Sequence, residues 1–223
     1  ITLKYPILWL IVRTKSKNSE NRCKTLSKSG LLVCLASPSG GGKTTIIWQL
    51  LTEHEDYRFS VSCTTRAPRK NERYGVDYYY LSMDEFNERI TAGDLAEYET
   101  VHDDMYGTLK APIDSAFENN NVLLLDIDVK GAKNLKKRYG DDCVTIFIQP
   151  PSIEVLKQRL IDRGSETESS FEKRVDRIEM EMEEGKHFDF QVINDSIEDA
   201  VNEAEEIIEN KRSEIVEEIK NGA

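Results

Sequence analysis

The stretch Leu31–Thr44, LLVCLASPSGGGKT, decides the fold. Its first six residues are an apolar run without polar alternation, the pattern of a strand covered on both faces. Three glycines, a lysine and a threonine follow at once, and a helical pattern runs from Thr44 to His54. A glycine-rich turn between a buried strand and a helix start lets backbone N–H groups close around phosphate oxygens, and the helix N-terminus adds its partial positive charge. Ser37, Pro38, Ser39, Gly40, Gly41, Gly42, Lys43, Thr44 and Thr45 are therefore expected to cradle the phosphates of ATP as a P-loop. Lys43 is expected to bridge the β and γ phosphates, and Thr44 to offer its hydroxyl to Mg²⁺. The strict signature wants glycine where Ser37 stands; its other fixed positions match. A second acidic group is needed at the end of a neighbouring buried strand to hold the magnesium largely through water, and Asp126, closing VLLLD, fits. A strand-terminal Asp also serves as a helix cap, so Asp126 alone leaves both roles open.

Outward from the loop, short apolar runs alternate with amphipathic stretches, the pattern of a parallel sheet flanked by helices. The strand candidates are Leu31 to Ala36, Phe59 to Ser62, Val122 to Ile127, Val144 to Ile148 and Phe190 to Ile193. Helices are expected at Thr44 to His54, Pro112 to Asn119, Val129 to Arg138 and Ile153 to Asp162, with a closing amphipathic helix from Ile197 to Ile219. Two regions break the alternation. Residues 62–108 read as a small α+β insert rich in Tyr, Arg and Asp, with a strand at Tyr78 to Leu81 and a helix whose Ser82 and Glu85 have capping-box spacing. Residues 154–185 read as a lid, because Arg163 to Glu184 is a charged helix with too few apolar residues for a core element. The core would then comprise residues 30–61, 109–153 and 186–223. Together these give an α/β chain of P-loop NTPase type: a parallel sheet flanked by helices, carrying a small insert and a helical lid.

The formal charge of −11 disfavours a general nucleic-acid binder, because the field of the protein repels phosphate backbones. Residues 1–29 are compositionally foreign, with seven Lys/Arg against Glu20 alone. Their apolar run, Tyr5 to Val12, is far short of the roughly 20 residues that span a bilayer, and the basic stretch follows it instead of preceding it as in a secretory signal. A disordered extension without chemistry, and no membrane partner, are the expectation. Cys23, Cys34, Cys63 and Cys143 lack metal-ligand spacing and read as reduced thiols of a cytoplasmic protein.

Further segments go beyond the loop. Ser62-Cys-Thr-Thr-Arg66-Ala-Pro-Arg69, Gly75-Val-Asp-Tyr78-Tyr-Tyr, Glu97-Tyr, Tyr106-Gly-Thr108, Leu125-Asp126-Ile-Asp128 and Arg159-Leu-Ile-Asp-Arg163-Gly, in this order and spacing, resemble the guanylate kinase family from about Gly30 to the C-terminus. The resemblance implies transfer of the γ-phosphoryl group of ATP to GMP. It assigns Arg66, Arg69, Tyr78 and Tyr106 to the GMP phosphate, which suits guanidinium forks and phenol donors. Glu97 and Asp128 would accept hydrogen bonds from guanine N1–H and the exocyclic amine, with Ser62 and Thr108 near the base edge. Arg159, Arg163 and Arg174 would be brought in by the lid, joining Lys43 and Arg66 as the cations of catalysis. Asn194 matches a family position near the adenine of ATP, although Asn-Asp also makes a good turn. The chain departs from the family at Lys130, commonly Gln, and at the third glycine beside Gly41. The partners implied are the nucleotides, with room for a homo-oligomer. The rival reading is a non-catalytic guanylate-kinase-like module that holds a phosphorylated peptide.

Overall fold

The computed structural model describes residues 30–38, 40–101, 103–152, 154–156 and 178–221. The extension expected at 1–29, and Ser39, Arg159, Arg163 and Arg174, lie outside the described residues.

The core is a five-stranded sheet in the order β2-β7-β1-β8-β9, built from β1 (Leu31–Ala36), β2 (Tyr57–Ser60), β7 (Val122–Asp126), β8 (Cys143–Gln149) and β9 (Phe190–Ile193). Every pairing in it is parallel. β1 is central, and all six of its residues are fully buried, because each face of the strand meets helices. Leu31, Val33 and Leu35 pack toward α1 (Lys43–Glu53) and α5 (Ile197–Asn221) through Ile46, Leu50, Ala204 and Ile208. Leu32, Cys34 and Ala36 pack toward α3 (Lys110–Asn119) and α4 (Val129–Tyr139) through Ile113, Ala132 and Leu135. An apolar run without alternation is what a strand sandwiched in this way requires. Cys34, Cys63 and Cys143 are buried free thiols.

The insert is a second, four-stranded sheet in the order β4-β3-β6-β5, made of β3 (Cys63–Thr64), β4 (Tyr79–Tyr80), β5 (Leu95–Val101) and β6 (Asp104–Leu109). It is covered by α2 (Met83–Ala92), whose Phe86 packs against Cys63 and Leu95. α2 begins with the expected capping box: the Ser82 hydroxyl accepts from the Glu85 N–H, and the Glu85 carboxylate accepts from the Ser82 N–H. The β5–β6 hairpin contains a bulge between Leu95 and Glu97, so Leu95, Ala96 and Glu97 are buried in succession. A bulge re-aims the side chain beside it, and here that side chain is Glu97.

Most boundaries shift by one or two residues from expectation, two of them for a local reason. β2 starts at Tyr57, in register with Val122 of β7, and ends at Ser60. α3 starts at Lys110, ahead of Pro112, because the first-turn N–H groups of a helix need no intrahelical partner and proline is tolerated there. The helix expected at Ile153 to Asp162 and the lid expected at residues 154–185 lie largely outside the described residues, and only the described ends of that segment can be placed. Helical residues 178–185 bury Ile178 against Leu156 and lean Met182 on the α4 side of the sheet. Among the described residues no helix is long and apolar enough to cross a membrane.

Candidate active site

The loop after β1 turns between Pro38 and Gly41, whose N–H donates to the Pro38 carbonyl at 2.9 Å, and hands over to α1 at Gly42. Gly42 has φ 90°, the left-handed region that favours glycine. Lys43 Nζ lies 2.5 Å from Asp126 Oδ1 and donates to the Ile127 carbonyl at 3.2 Å. The Thr44 hydroxyl donates to Asp126 Oδ2 at 3.3 Å. The ends of β1 and β7, adjacent in the sheet, thus bring Lys43, Thr44 and Asp126 into one constellation. Its oxygen donors suit Mg²⁺, which takes one or two protein oxygens and keeps waters and phosphates for the rest. Ser37, the departure from the strict signature, is accommodated by Gly41: a Cβ on Gly41 would fall 2.8 Å from the Ser37 Cβ and 3.1 Å from its hydroxyl. The extra glycine therefore makes room for the serine.

A cluster of arginines and tyrosines stands on the insert. Arg66, just after β3, donates from Nε to the Tyr106 hydroxyl at 3.2 Å, and its guanidinium lies 5.4 Å from the Tyr78 ring centre. The Tyr78 and Tyr106 rings meet edge to face at 5.9 Å. Glu72 organises the group by accepting from Arg66 Nη2 at 2.9 Å, from the Arg69 N–H at 2.8 Å and from the Tyr80 hydroxyl at 2.9 Å. Partial burial pushes the Glu72 carboxyl upward, but these donors outweigh it and hold the group at about 2. The Arg69 side chain is 75% exposed, with Nη1 4.0 Å from Glu72, and so is free to swing to an anion. Burial raises the Tyr78 phenol well above its usual range, and the Asp126 carboxylate raises it further.

Glu97 sits where the insert meets the core and is 9% exposed. Thr108, opposite it on β6, donates its hydroxyl to Glu97 Oε1 at 2.5 Å. Burial lifts the Glu97 carboxyl to about 7, the Thr108 hydrogen bond opposes the shift, and Asp128 and Glu99 reinforce it. Asp128 is the N-cap of α4, its Oδ1 accepting from the Gly131 N–H at 2.7 Å. Gly131 also leaves room here, since a Cβ there would lie 2.8 Å from the Ile127 side chain and 2.9 Å from Glu97 Oε2. α4 holds this seam through Arg138, which donates to the Ala96 carbonyl, and Asn134, which donates to Glu99, both at 2.8 Å. Ser62 is half-buried, its carbonyl accepting from the Tyr79 N–H at 2.9 Å.

The described residues thus bring the loop, the basic cluster and the two carboxylates together. Asn194 is buried against the loop, donating to the Gly41 carbonyl at 2.6 Å. Sequence reasoning passed over Glu72, Tyr80 and Gly131. Tyr80 was detectable as the residue two after Tyr78, on the same face of a strand. The two clearances, at Gly131 and Gly41, depend on contacts distant in the chain and leave no local signal.

Glu97→Gln should separate the cost of this carboxylate from its packing. With a folded value of about 7 against 4.5 unfolded, the native state holds the proton more tightly, so the group's contribution to stability is full below about 4.5 and is lost as pH rises toward 7. Thermal unfolding should therefore show Glu97→Gln gaining on the parent between pH 5 and 8, by on the order of 2 kcal/mol; a pH-independent difference would contradict the burial. A double-mutant cycle checks the loop: Gly41→Ala should weaken ATP binding, and Ser37→Gly should restore most of it, whereas strict additivity would show that the two residues do not share space.

Comparison with known proteins agrees with this fold. The guanylate kinase family model matches residues 29–211. A guanylate kinase of Salinibacter ruber is 49% identical over 173 residues, covering 77% of this chain and 92% of the relative. One from Bacteroides fragilis is 41% identical over 194 residues, covering 86% and 95%. The crystal structure of guanylate kinase from Anaplasma phagocytophilum superposes with a TM-score of 0.69 at 30% identity, covering 82% of this chain and 86% of that one. The chain belongs to the guanylate kinase family.

Proposed function

We propose that this protein is an ATP:GMP phosphotransferase: a phosphate oxygen of GMP attacks the γ-phosphorus of ATP, the bond to the β,γ-bridging oxygen breaks, and ADP and GDP leave, with dGMP accepted in the same way. One observation carries the reading. Two anion-binding groups of different make flank the seam between insert and core: Asp126 of the Lys43–Thr44–Asp126 constellation closes the strand that leads into the α4 N-cap Asp128, and Tyr106 of the Arg66–Tyr78–Tyr106 cluster lies on the same strand as Thr108, the partner of Glu97. A donor and an acceptor phosphate need such neighbouring seats for in-line transfer.

Each residue then has a task. Lys43 exchanges the Asp126 carboxylate for the β and γ phosphates, and the backbone of residues 37–45 surrounds the phosphate chain. Thr44 and Asp126 would hold Mg²⁺, which when bound with ATP would supply positive charge against the phosphate oxygens. Arg66, pre-aimed by Glu72 and Tyr106, and the free Arg69 take the GMP phosphate with Tyr78. Glu97 and Asp128 accept from guanine N1–H and its amine, with Ser62 and Thr108 beside them. Adenine lacks this donor pair and would leave both acceptors unmatched. Arg159, Arg163 and Arg174 follow the family motif; their positive charge stabilises the phosphoryl group in flight, and no general base is needed. The reading puts the enzyme in the cytoplasm, the compartment that keeps thiols such as Cys34, Cys63 and Cys143 reduced.

A coupled assay of ADP formation with GMP, dGMP, AMP, UMP and CMP tests the proposal. Turnover is expected with the two guanine nucleotides, and no turnover with GMP would refute it. In the same assay Glu97→Ala should lower the preference for GMP over AMP by on the order of 10²-fold or more.

A further inference from the structure

Asn194 follows β9 and is 1% exposed. Its backbone N–H donates to the Gln149 carbonyl at 2.8 Å, which ties it to the end of β8. Its side-chain amide donates across 153 positions of sequence to the Gly41 carbonyl at 2.6 Å. The contact with the loop is tight on a second side as well, because a Cβ on Gly42 would fall 2.1 Å from Asn194 Nδ2. Only the amide nitrogen can face a carbonyl, so the orientation of the Asn194 side chain is set by the loop.

A peptide unit is planar, and in its trans form the carbonyl and the following N–H point in opposite directions. Drawing the Gly41 carbonyl back toward buried Asn194 therefore turns the Gly42 N–H the other way, out of the buried side. Gly42 can adopt its φ of 90° and lie against the asparagine because it has no side chain. We propose that Asn194 is a positioning residue for the phosphate loop: its amide holds the Gly41–Gly42 peptide so that the Gly42 N–H faces the phosphate chain of the donor. The interaction acts on phosphate and is indifferent to the base. It rests on the phosphate-loop reading above and adds a strut from the β8–β9 edge of the sheet. The strut lets backbone donors stand in place before nucleotide arrives, which is where preorganised sites gain affinity.

The test compares binding of ATP, inosine triphosphate and inorganic tripolyphosphate to the full chain, Asn194→Ala and Asn194→Asp by calorimetry, with GMP binding measured alongside. Asn194→Ala should weaken all three phosphate ligands by the same factor, about three- to tenfold, the range of one net hydrogen bond. Asn194→Asp should weaken them more, because a carboxylate repels the carbonyl and puts negative charge beside the phosphates. GMP affinity should stay unchanged in both variants. A loss confined to ATP, with tripolyphosphate unaffected, would make Asn194 a base-reading residue and overturn the inference; so would no loss at all. Failure of the unaltered chain to bind tripolyphosphate would overturn the phosphate-loop reading itself, and the inference with it. If the variants do not fold, the unaltered protein still decides: tripolyphosphate should shift the Gly42 amide resonance in a ¹H–¹⁵N spectrum, and an unmoved Gly42 amide would overturn the proposal.

Discussion

A carboxylate buried at the seam between two sheets is the constraint around which the acceptor side of this protein is arranged. Glu97 is taken from water with a threonine hydroxyl on one oxygen, a glycine facing the other and two further acidic groups nearby. Such a group is unfavourable in the empty protein, because burial penalises its charged form. The bulge in β5, the bare Cα of Gly131 and the hydrogen bonds from α4 to Ala96 and Glu99 together maintain it. On the proposed reading a base that offers two adjacent donors would relieve the burden and a base without them would not, so that selectivity would be stored as local destabilisation.

The donor side solves the opposite problem. Lys43 would be a lone cation in the empty loop, and Asp126 holds it at 2.5 Å until phosphate competes for it. The basic cluster has the same logic, with Glu72 engaging Arg66 and Tyr80 while the exposed Arg69 side chain reaches it only at 4.0 Å. On the proposed reading both phosphate seats carry an internal carboxylate partner in the empty protein, which would reconcile a net charge of −11 with the binding of highly charged nucleotides. Binding then exchanges one anionic partner for another, so geometry more than net charge governs affinity.

The core was legible in the sequence because its strands are buried on both faces and read as unbroken apolar runs: LLVCLA became β1 and VLLLD became β7, and the loop between β1 and α1 carried its own signature. The insert was legible through its capping box and its family motifs. What escaped was set by contacts between distant positions. Ser37 looked like a defect in the loop until Gly41 was seen to clear space for it, and Gly131 drew no attention as a helix residue although Glu97 lies against it. Glu72 was readable only as a charge, since its three donors converge through the fold of residues 66–80. Of the charged stretch ending at Glu184, the described residues bury Ile178 and lean the partly buried Met182 on the core without an apolar pattern around them.

The central claim, that the acceptor site keeps a carboxylate uncomfortable until guanine arrives, is tested most directly by counting protons. GMP binding should be measured by calorimetry near pH 7 in two buffers of different ionisation enthalpy. Glu97, with a value of about 7 in the empty protein, is then partly protonated, and must ionise to accept from N1–H and the amine. Net proton release on GMP binding is expected, absent from Glu97→Gln; binding with no release in the parent, or the same release in both, would contradict the account.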